Sequence, residues 1–177
     1  MNLKRDNWYA FVAALAVTVV VLVAGQLLWQ KYAVARPLDA GLRDIPGVTA
    51  AGWEEGKNGE ITINVTLGTV DNLARTYGAV GDTAKRVLGR RPANIVLADS
   101  RTPELENLYY DINLPVQEGI YTGNFTAMAD RIAAKAATAG AAAKVSVDAA
   151  NVYIQLTREG SALYAVVPRA DAPREVK

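Results

Sequence analysis

The chain has no cysteine and no histidine among its 177 residues. These absences exclude a Cys/His zinc site, a disulfide, a cysteine nucleophile and a Ser-His-Asp triad. A large basic excess is also missing, since 19 lysines and arginines stand against 18 aspartates and glutamates, a net charge of +1. Proteins that neutralise phosphates carry such an excess, so we predict no nucleic-acid partner. We likewise predict no metal, no cofactor and no enzymatic activity.

A long uncharged run, residues 11–28, predicts a helix that crosses a lipid bilayer. Trp8 and Tyr9 precede the run, and Trp29 and Tyr32 follow it. Trp8 and Trp29 would lie roughly 31 Å apart on a helix, which matches a hydrocarbon core of about 30 Å. Because tryptophan and tyrosine are enriched at both bilayer interfaces, we predict that these four aromatic side chains anchor the helix there.

Two other interpretations of this run stay open. Ala33 and Ala35 have the small-x-small form of a signal-peptide cleavage site, although signal peptides usually have an apolar region of about 7–15 residues. The run can also be a buried helix of the following domain, but such a helix normally shows a polar face. Because the N-terminal tail is short, we predict a single-pass bacterial-type protein of the cell membrane, with a cytoplasmic N-terminus and an extracytoplasmic domain.

The remainder of the chain predicts an α+β fold. Asn58 and Gly59 form a two-residue turn signal between two extended runs, which predicts a hairpin. Apolar residues at helical spacing predict a helix over residues 73–87, and the short apolar run at 93–99 predicts a strand buried on both faces. The complete order is ββαβ-αα-βββ, which favours a two-layer sandwich with the helices on one face of a mostly antiparallel sheet.

These patterns divide the chain into five segments. They are an N-terminal tail at 1–10, a transmembrane helix at 11–32, a juxtamembrane connector at 33–41, a soluble α+β domain at 42–168 and a flexible tail at 169–177. Residues 128–156 resemble the helix-then-two-strands pattern of BON-type domains and other small bacterial envelope modules. This resemblance implies an envelope protein and transfers no functional residue.

The stretch LYYDINLPVQEGIYTGNF, residues 108–125, is the first place to look for a functional surface. Pro115 is predicted to end or kink a helix there, because it lacks an N–H and crowds the preceding turn. Exposed tyrosines are also typical of partner-binding surfaces. The stretch is therefore either a structural corner or a contact site. The candidate interaction surface consists of Tyr109, Tyr110, Gln117, Glu118, Tyr121 and Asn124.

Two groups of charged residues suit other functions. Asp99, Glu104, Glu106 and Asp111 can supply a carboxylate pair for acid/base chemistry, or they can be solvated acids near a helix start. Residues 85–92 form a basic cluster. It suits anionic lipid headgroups or an acidic partner, and it equally suits the C-terminus of a helix.

We predict that the domain is a protein-interaction or assembly module that binds other envelope proteins or copies of itself. Open strand edges and a polar sheet face would suit strand addition or lateral assembly. The alternative is a sensory or small-ligand-binding domain, which requires a concavity near Tyr109, Tyr110 and Tyr121. A third candidate is a hydrolase that uses only carboxylates, and it requires two acids in one cleft with shifted pKa values.

Overall fold

The structure, a computed structural model, describes residues 12–23, 25, 36–56 and 59–169. Residues 12–23 are helical and are called α1. The later helices are α2 (Arg36–Arg43), α3 (Leu73–Leu88), α4 (Pro103–Thr122) and α5 (Phe125–Thr138), and the strands are β1 (Val48–Glu55), β2 (Ile61–Leu67), β3 (Ala93–Ala98), β4 (Ala142–Val147), β5 (Asn151–Arg158) and β6 (Ser161–Pro168). The α+β fold is confirmed, and from β1 onward the elements follow the predicted order.

The predicted membrane helix at 11–32 extends beyond the described residues. Its proposed anchors, Trp8, Tyr9, Trp29 and Tyr32, all lie outside them. Every side chain of α1 is exposed, which a buried helix of the domain would not show. Among the residues that the structure describes, no helix combines the length and the apolar composition that a membrane span needs.

The first half of the domain is a three-stranded sheet, β1-β2-β3, with α2 and α3 packed on one face. β1 and β2 form the predicted antiparallel pair, and α3 crosses over so that β3 pairs parallel to β2. In β2, Ile61, Ile63 and Val65 are fully buried in this core, while Asn64 and Thr66 face solvent. The first core therefore lies on one side of its sheet.

The second half is an antiparallel sheet, β4-β5-β6, with β5 at its centre. α4 and α5 cover one face, where Ile154 and Leu156 pack with Ile132 of α5. The opposite face carries Tyr153 and Tyr164, which belong to the core of the first half. β5 is therefore buried on both faces and lies between the two cores.

The strands form two sheets where the sequence predicts one, and this part of the prediction is wrong. β3 and β6 are edge strands that do not pair. In the loop after β3, Ser100 Oγ accepts the N–H of Ala162, and Asp99 Oδ2 accepts the N–H of Tyr164. Side chains thus occupy donors of β6 that pairing with β3 would need. β3 is consequently a half-exposed edge strand and is not buried on both faces.

Two buried polar side chains of the second sheet hold the loop before α3. Gln155 accepts the N–H of Leu73 through Oε1 at 2.9 Å and donates from Nε2 to the carbonyl of Val70 at 2.9 Å. Tyr164 Oη accepts the N–H of Val70 at 3.2 Å and donates to the carbonyl of Gly68 at 2.8 Å. Because unpaired buried polar groups are costly, this network fixes the position of one half on the other.

Helix α2 occupies residues 36–43, which include the end of the predicted connector. Leu38 and Leu42 are fully buried in the first core. A Cβ at Gly41 would lie 2.9 Å from Thr83 Cγ2 of α3, so the two helices approach too closely for a larger residue there. The sequence does not predict α2, because Pro37 and Gly41 are typical of loops and the segment is short.

Candidate functional site

The candidate surface centres on α4, and capping residues define both ends of this helix. Thr102 Oγ1 accepts the N–H of Leu105 at 3.4 Å, and Pro103 follows at a position where its missing N–H is not needed. At the other end, Gly123 has a left-handed φ of 72° and donates its N–H to the carbonyl of Gly119 at 2.9 Å. The helix therefore covers most of the stretch in which the sequence predicts a corner.

α4 continues through Pro115 to Thr122, so the helix does not end at this proline, which was one of the two predicted outcomes. Proline inside a helix costs about 3 kcal/mol, because a hydrogen bond is lost and the ring crowds the preceding turn. Here Pro115 is itself buried, as are Ile112 and Val116 in the second core. Burial contributes about 1.5–3 kcal/mol for each such side chain, which offsets the proline. The chain turns at Gly123, between α4 and α5.

An exposed stripe of large side chains runs along α4. Tyr110, Leu114, Gln117 and Tyr121 recur at spacings of four, three and four residues, which places them on one side of the helix. Tyr110 is 82% exposed, Leu114 76% and Tyr121 93%. We call these four residues the α4 stripe. The surface predicted from the sequence omits Leu114. Its spacing from Tyr110 and Gln117 places it on the same side of α4 only when the helix continues past Pro115.

The other residues predicted for this surface contact different parts of the domain. Glu118 forms an ion pair with Arg131 of α5. Asn124 caps α5, because its Oδ1 accepts the N–H of Ala127 at 3.3 Å. Tyr109 is half-buried and lines a cleft on a different face of α4. The predicted surface is therefore divided between the α4 stripe, the contact of α4 with α5, and the cleft.

This cleft has a volume of about 400 Å³ and lies between the edge strands β3 and β6. Ile95 and Leu97 line it on the β3 side, and Ala165 and Val166 line it on the β6 side. Its polar and aromatic lining includes Tyr77, Asn94, Arg101, Tyr109 and Asn151. The volume falls within the range of ligand pockets, about 300–1,000 Å³.

Asp99 fastens the loop after β3 to β6. Its side chain is almost fully buried, and Oδ2 accepts the N–H of Tyr164 at 2.8 Å. Arg101 donates from Nε to Oδ1 at 2.8 Å and from Nη2 to Oδ2 at 3.0 Å, which is a bidentate charge-assisted pair. The hydrogen bond to Asp99 raises the pKa of the Arg101 guanidinium. Arg101 thus lines the cleft with its charge already compensated.

The acidic residues near the start of α4 have separate surroundings. Asp99 is buried in the contacts just described, whereas Glu104, Glu106 and Asp111 are exposed. The pKa of Glu104 is lowered, first by a hydrogen bond to the Thr102 side chain and then by its own backbone, whereas a carboxyl tuned as a general acid has a raised pKa. Within the described ranges, no group of three or more His, Cys, Asp or Glu side chains is arranged to hold a metal ion.

The basic cluster at residues 85–92 includes the C-terminus of α3, as one of its interpretations predicts. Lys85 and Arg86 lie in the last turn, next to the cap at Gly89, where cations offset the negative end of the helix dipole. Arg91 forms a surface ion pair with Glu55, with Nη2 and Oε1 2.8 Å apart.

A hydrogen-bond network around Tyr153 positions one end of the cleft lining. Tyr153 Oη donates to Asp148 Oδ2 at 2.6 Å and accepts from Asn151 Nδ2 at 3.3 Å. Burial, together with the bond to Asp148, raises the pKa of Tyr153 to about 12. Tyr77 meets its ring edge-on, with the centroids 5.9 Å apart. Tyr153 therefore stays protonated at neutral pH and holds the amide of Asn151 at the cleft.

Comparison with known proteins adds no assignment. No protein-family model, no curated protein and no solved structure matches this chain. Its function is therefore inferred from the α4 stripe and the cleft.

Proposed function

We propose that this chain is a single-pass membrane-anchored protein whose α+β domain is a protein-interaction or assembly module outside the cytoplasm. The observation that carries the proposal is the α4 stripe, in which Tyr110, Leu114 and Tyr121 are all strongly exposed. Scattered apolar residues are normal on a protein surface, but large ones aligned on one helix face are typical of a contact site.

The composition of the α4 stripe suits a protein partner. A buried leucine contributes about 1.5–3 kcal/mol, and a tyrosine ring covers about 150–250 Å². Tyrosine is enriched in interface cores because its ring packs while its hydroxyl stays near water. The stripe has no charged side chain, and Gln117 near its middle can donate and accept hydrogen bonds. We expect the partner, an envelope protein or a second copy, to offer an apolar groove or helix face.

The anchor is supported by the sequence around α1. Residues 11–28 carry no charge and have an aromatic pair on each flank. Leu15 and Leu22 of α1 are exposed, so no described part of the domain covers them. A bilayer would provide that cover.

The anchor is tested by membrane fractionation of the full-length chain with intact-mass analysis, followed by protease protection on sealed cells and inverted vesicles. We expect the uncut chain in the membrane fraction, with its domain digested only from the outer side. A soluble chain that begins at Arg36 would contradict the anchor and leave a secreted domain. Digestion only from the inner side would contradict the orientation.

The α4 stripe is tested by placing a photoreactive amino acid at Gln117 in the full-length chain and crosslinking it in cells. We expect a defined crosslinked product that Leu114→Arg abolishes. Ala133→Arg, on an exposed position of α5, is the matched control and should leave the product intact. Two differently tagged copies distinguish self-association from another partner. A product that persists in Leu114→Arg would show that the α4 stripe is not the contact site.

Ligand binding is the second candidate function, and the cleft favours it. The concavity that this function requires is present at Tyr109, together with Tyr77 and the amides of Asn94 and Asn151. Tyr110 and Tyr121 are exposed on the α4 stripe and do not line the cleft. The cleft and the α4 stripe are thus two distinct candidate surfaces on one domain.

A further inference from the structure

We propose that the cleft between β3 and β6 binds an extended polypeptide segment, which pairs its main chain with the two strand edges. This inference rests on the second candidate function, ligand binding in the cleft, and is independent of the α4 stripe. The class of ligand follows from the main-chain groups that line the cleft and from the absence of an uncompensated charge among its lining residues.

The β6 edge supplies main-chain groups at one end of this cleft. Ala162 and Tyr164 direct their N–H groups away from β5, toward Ser100 and Asp99. Because main-chain directions alternate along a strand, Val166 directs its N–H and C=O the same way. Val166 lines the cleft. The side chains of Ser100 and Asp99 accept the N–H groups of Ala162 and Tyr164, but no side chain among the described residues accepts the N–H of Val166 in this way.

The β3 edge supplies a second set of main-chain groups. The N–H of Ile61 donates to the carbonyl of Pro92 at 3.1 Å, so Pro92 and alternate residues after it face β2. Ile95 and Leu97 therefore direct their N–H and C=O groups away from β2. Both residues line the cleft. Two strand edges thus present donors and acceptors to the same opening.

The charges at the cleft favour an uncharged main chain over a small ion. Arg101 is the charged residue in its lining, and Asp99 already accepts two hydrogen bonds from the Arg101 guanidinium. Glu106 Oε1 lies 3.9 Å from Arg101 Nη1 and further lowers the attraction of Arg101 for an anion. Asn94 and Asn151 can donate to or accept from a peptide bond. A phosphate or carboxylate ligand would find no uncompensated cation among these lining residues.

The tyrosines and the length of the open β6 edge determine which side chains the bound peptide carries and how long its paired segment is. Side chains of an extended chain alternate in direction, so an apolar or aromatic residue would contact Tyr77 and Tyr109 while its neighbours face solvent. Pairing on β6 runs from Val166 to Pro168, which has no N–H and ends it. The segment held here is therefore short, and its main chain continues out of the cleft.

The test is a selection of displayed random peptides on the full-length chain in detergent micelles, followed by amide hydrogen exchange on the complexes. We expect selected peptides to place an apolar or aromatic residue among alternating positions and to slow exchange of the Val166 N–H. A selected peptide that is N-methylated at alternate residues keeps its side chains but loses main-chain N–H donors. It should bind about tenfold more weakly or worse.

A matched pair of protein variants tests the same hydrogen bond from the other side. Val166→Pro removes the donor at an edge position, where proline is best tolerated, and Val166→Thr keeps it. We expect the selected peptides to bind Val166→Thr normally and Val166→Pro about tenfold more weakly. If Val166→Pro does not fold, the N-methylated peptide decides the question alone.

The possible failures separate this inference from the function on which it rests. Equal binding of the methylated peptide would overturn strand pairing and leave ligand binding in the cleft. Peptides that leave the hydrogen-exchange rate of the Val166 N–H unchanged bind elsewhere, and this result would also overturn strand pairing. A selection without any binder would overturn the inference, and a fragment screen without a ligand in the cleft would also remove the second candidate function.

Discussion

The two sheets of the domain differ in how much of each the protein covers. The second sheet lies between the α4 and α5 layer and the first half, and β5 is buried over residues 152–156. The first sheet has helices on one face and leaves Asn64 and Val96 exposed on the other. The second sheet thus contributes to both cores, whereas the first leaves one of its faces uncovered.

The largest expected contrast between the sheets comes from truncating one apolar side chain in each. Ile154→Ala, at a fully buried position of β5, should lower the free energy of unfolding by about 2–5 kcal/mol through lost burial and a cavity. Val96→Ala, on the open face of β3, should change it by less than about 0.5 kcal/mol. Urea denaturation measures both. Similar losses for the two variants would contradict the assignment of β5 as the shared centre.

Replacing one polar side chain by leucine in each sheet tests the same contrast between the two sheets. Gln155→Leu leaves the Leu73 N–H and the Val70 carbonyl buried without their partner, so we expect a loss of about 2–4 kcal/mol. Asn64→Leu, on the solvent face of the first sheet, should stay within about 0.5 kcal/mol of the parent. Thermal and urea unfolding of both variants provide the measurement. A stable Gln155→Leu would mean that the network does not hold the halves together.

The buried tyrosine network predicts a loss of stability at high pH. Below the ordinary tyrosine pKa of 10.0, Tyr153 is protonated in both the folded and the unfolded chain, and its contribution to stability is complete. Between pH 10.0 and about 12, Tyr153 ionises first in the unfolded chain, so the free energy of unfolding falls by up to about 1.4 kcal/mol per pH unit. Burial raises the pKa of Tyr77 and Tyr164 as well, which adds to the slope. Tyr153→Phe should flatten this pH dependence.

Two glycine substitutions compare the packing of the helices in each half. A Cβ at Gly119 would lie 2.6 Å from Met128 Sδ and 2.7 Å from its Cβ, whereas one at Gly78 in α3 meets nothing within 4 Å. Gly119→Ala should therefore destabilise by about 1–2 kcal/mol despite better helix propensity, and Gly78→Ala should stabilise by about 0.5–1 kcal/mol. Thermal unfolding distinguishes the signs. A stabilised Gly119→Ala would show that α4 and α5 are not in close contact.

The smallest effect on stability is expected on the α4 stripe. Leu114→Ala and Tyr121→Ala remove exposed side chains, so each should change the free energy of unfolding by less than about 0.5 kcal/mol. Both should nevertheless weaken the crosslink formed from Gln117. Urea denaturation run beside the crosslinking assay separates recognition from folding. A large loss of stability would show that the stripe packs within the domain.

Local patterns predict most of the secondary structure here. The alternation of Ile61, Ile63 and Val65 identifies β2, and Thr102 followed by Pro103 marks the start of α4. Such signals depend on neighbours within one turn or one strand, which the sequence contains in full. The same patterns also place Tyr110, Gln117 and Tyr121 in one candidate surface.

Features that depend on distant contacts are not predicted. α2 is stabilised by burial of Leu38 and Leu42 against α3, and α4 passes Pro115 because the second core holds both sides of it. Two sheets replace one because Asp99 and Ser100 accept N–H groups from β6 more than sixty residues away. The cleft is a consequence of that separation, so no local pattern identifies it.

The bonds from Asp99 and Ser100 to β6 also limit how far this edge can polymerise. A strand edge open along its whole length can template one copy on the next and extend into a fibre. On β6 the donors of Ala162 and Tyr164 are already used, and Pro168 has none to offer. An added strand can pair only near Val166, so an assembly built through this edge has a defined end.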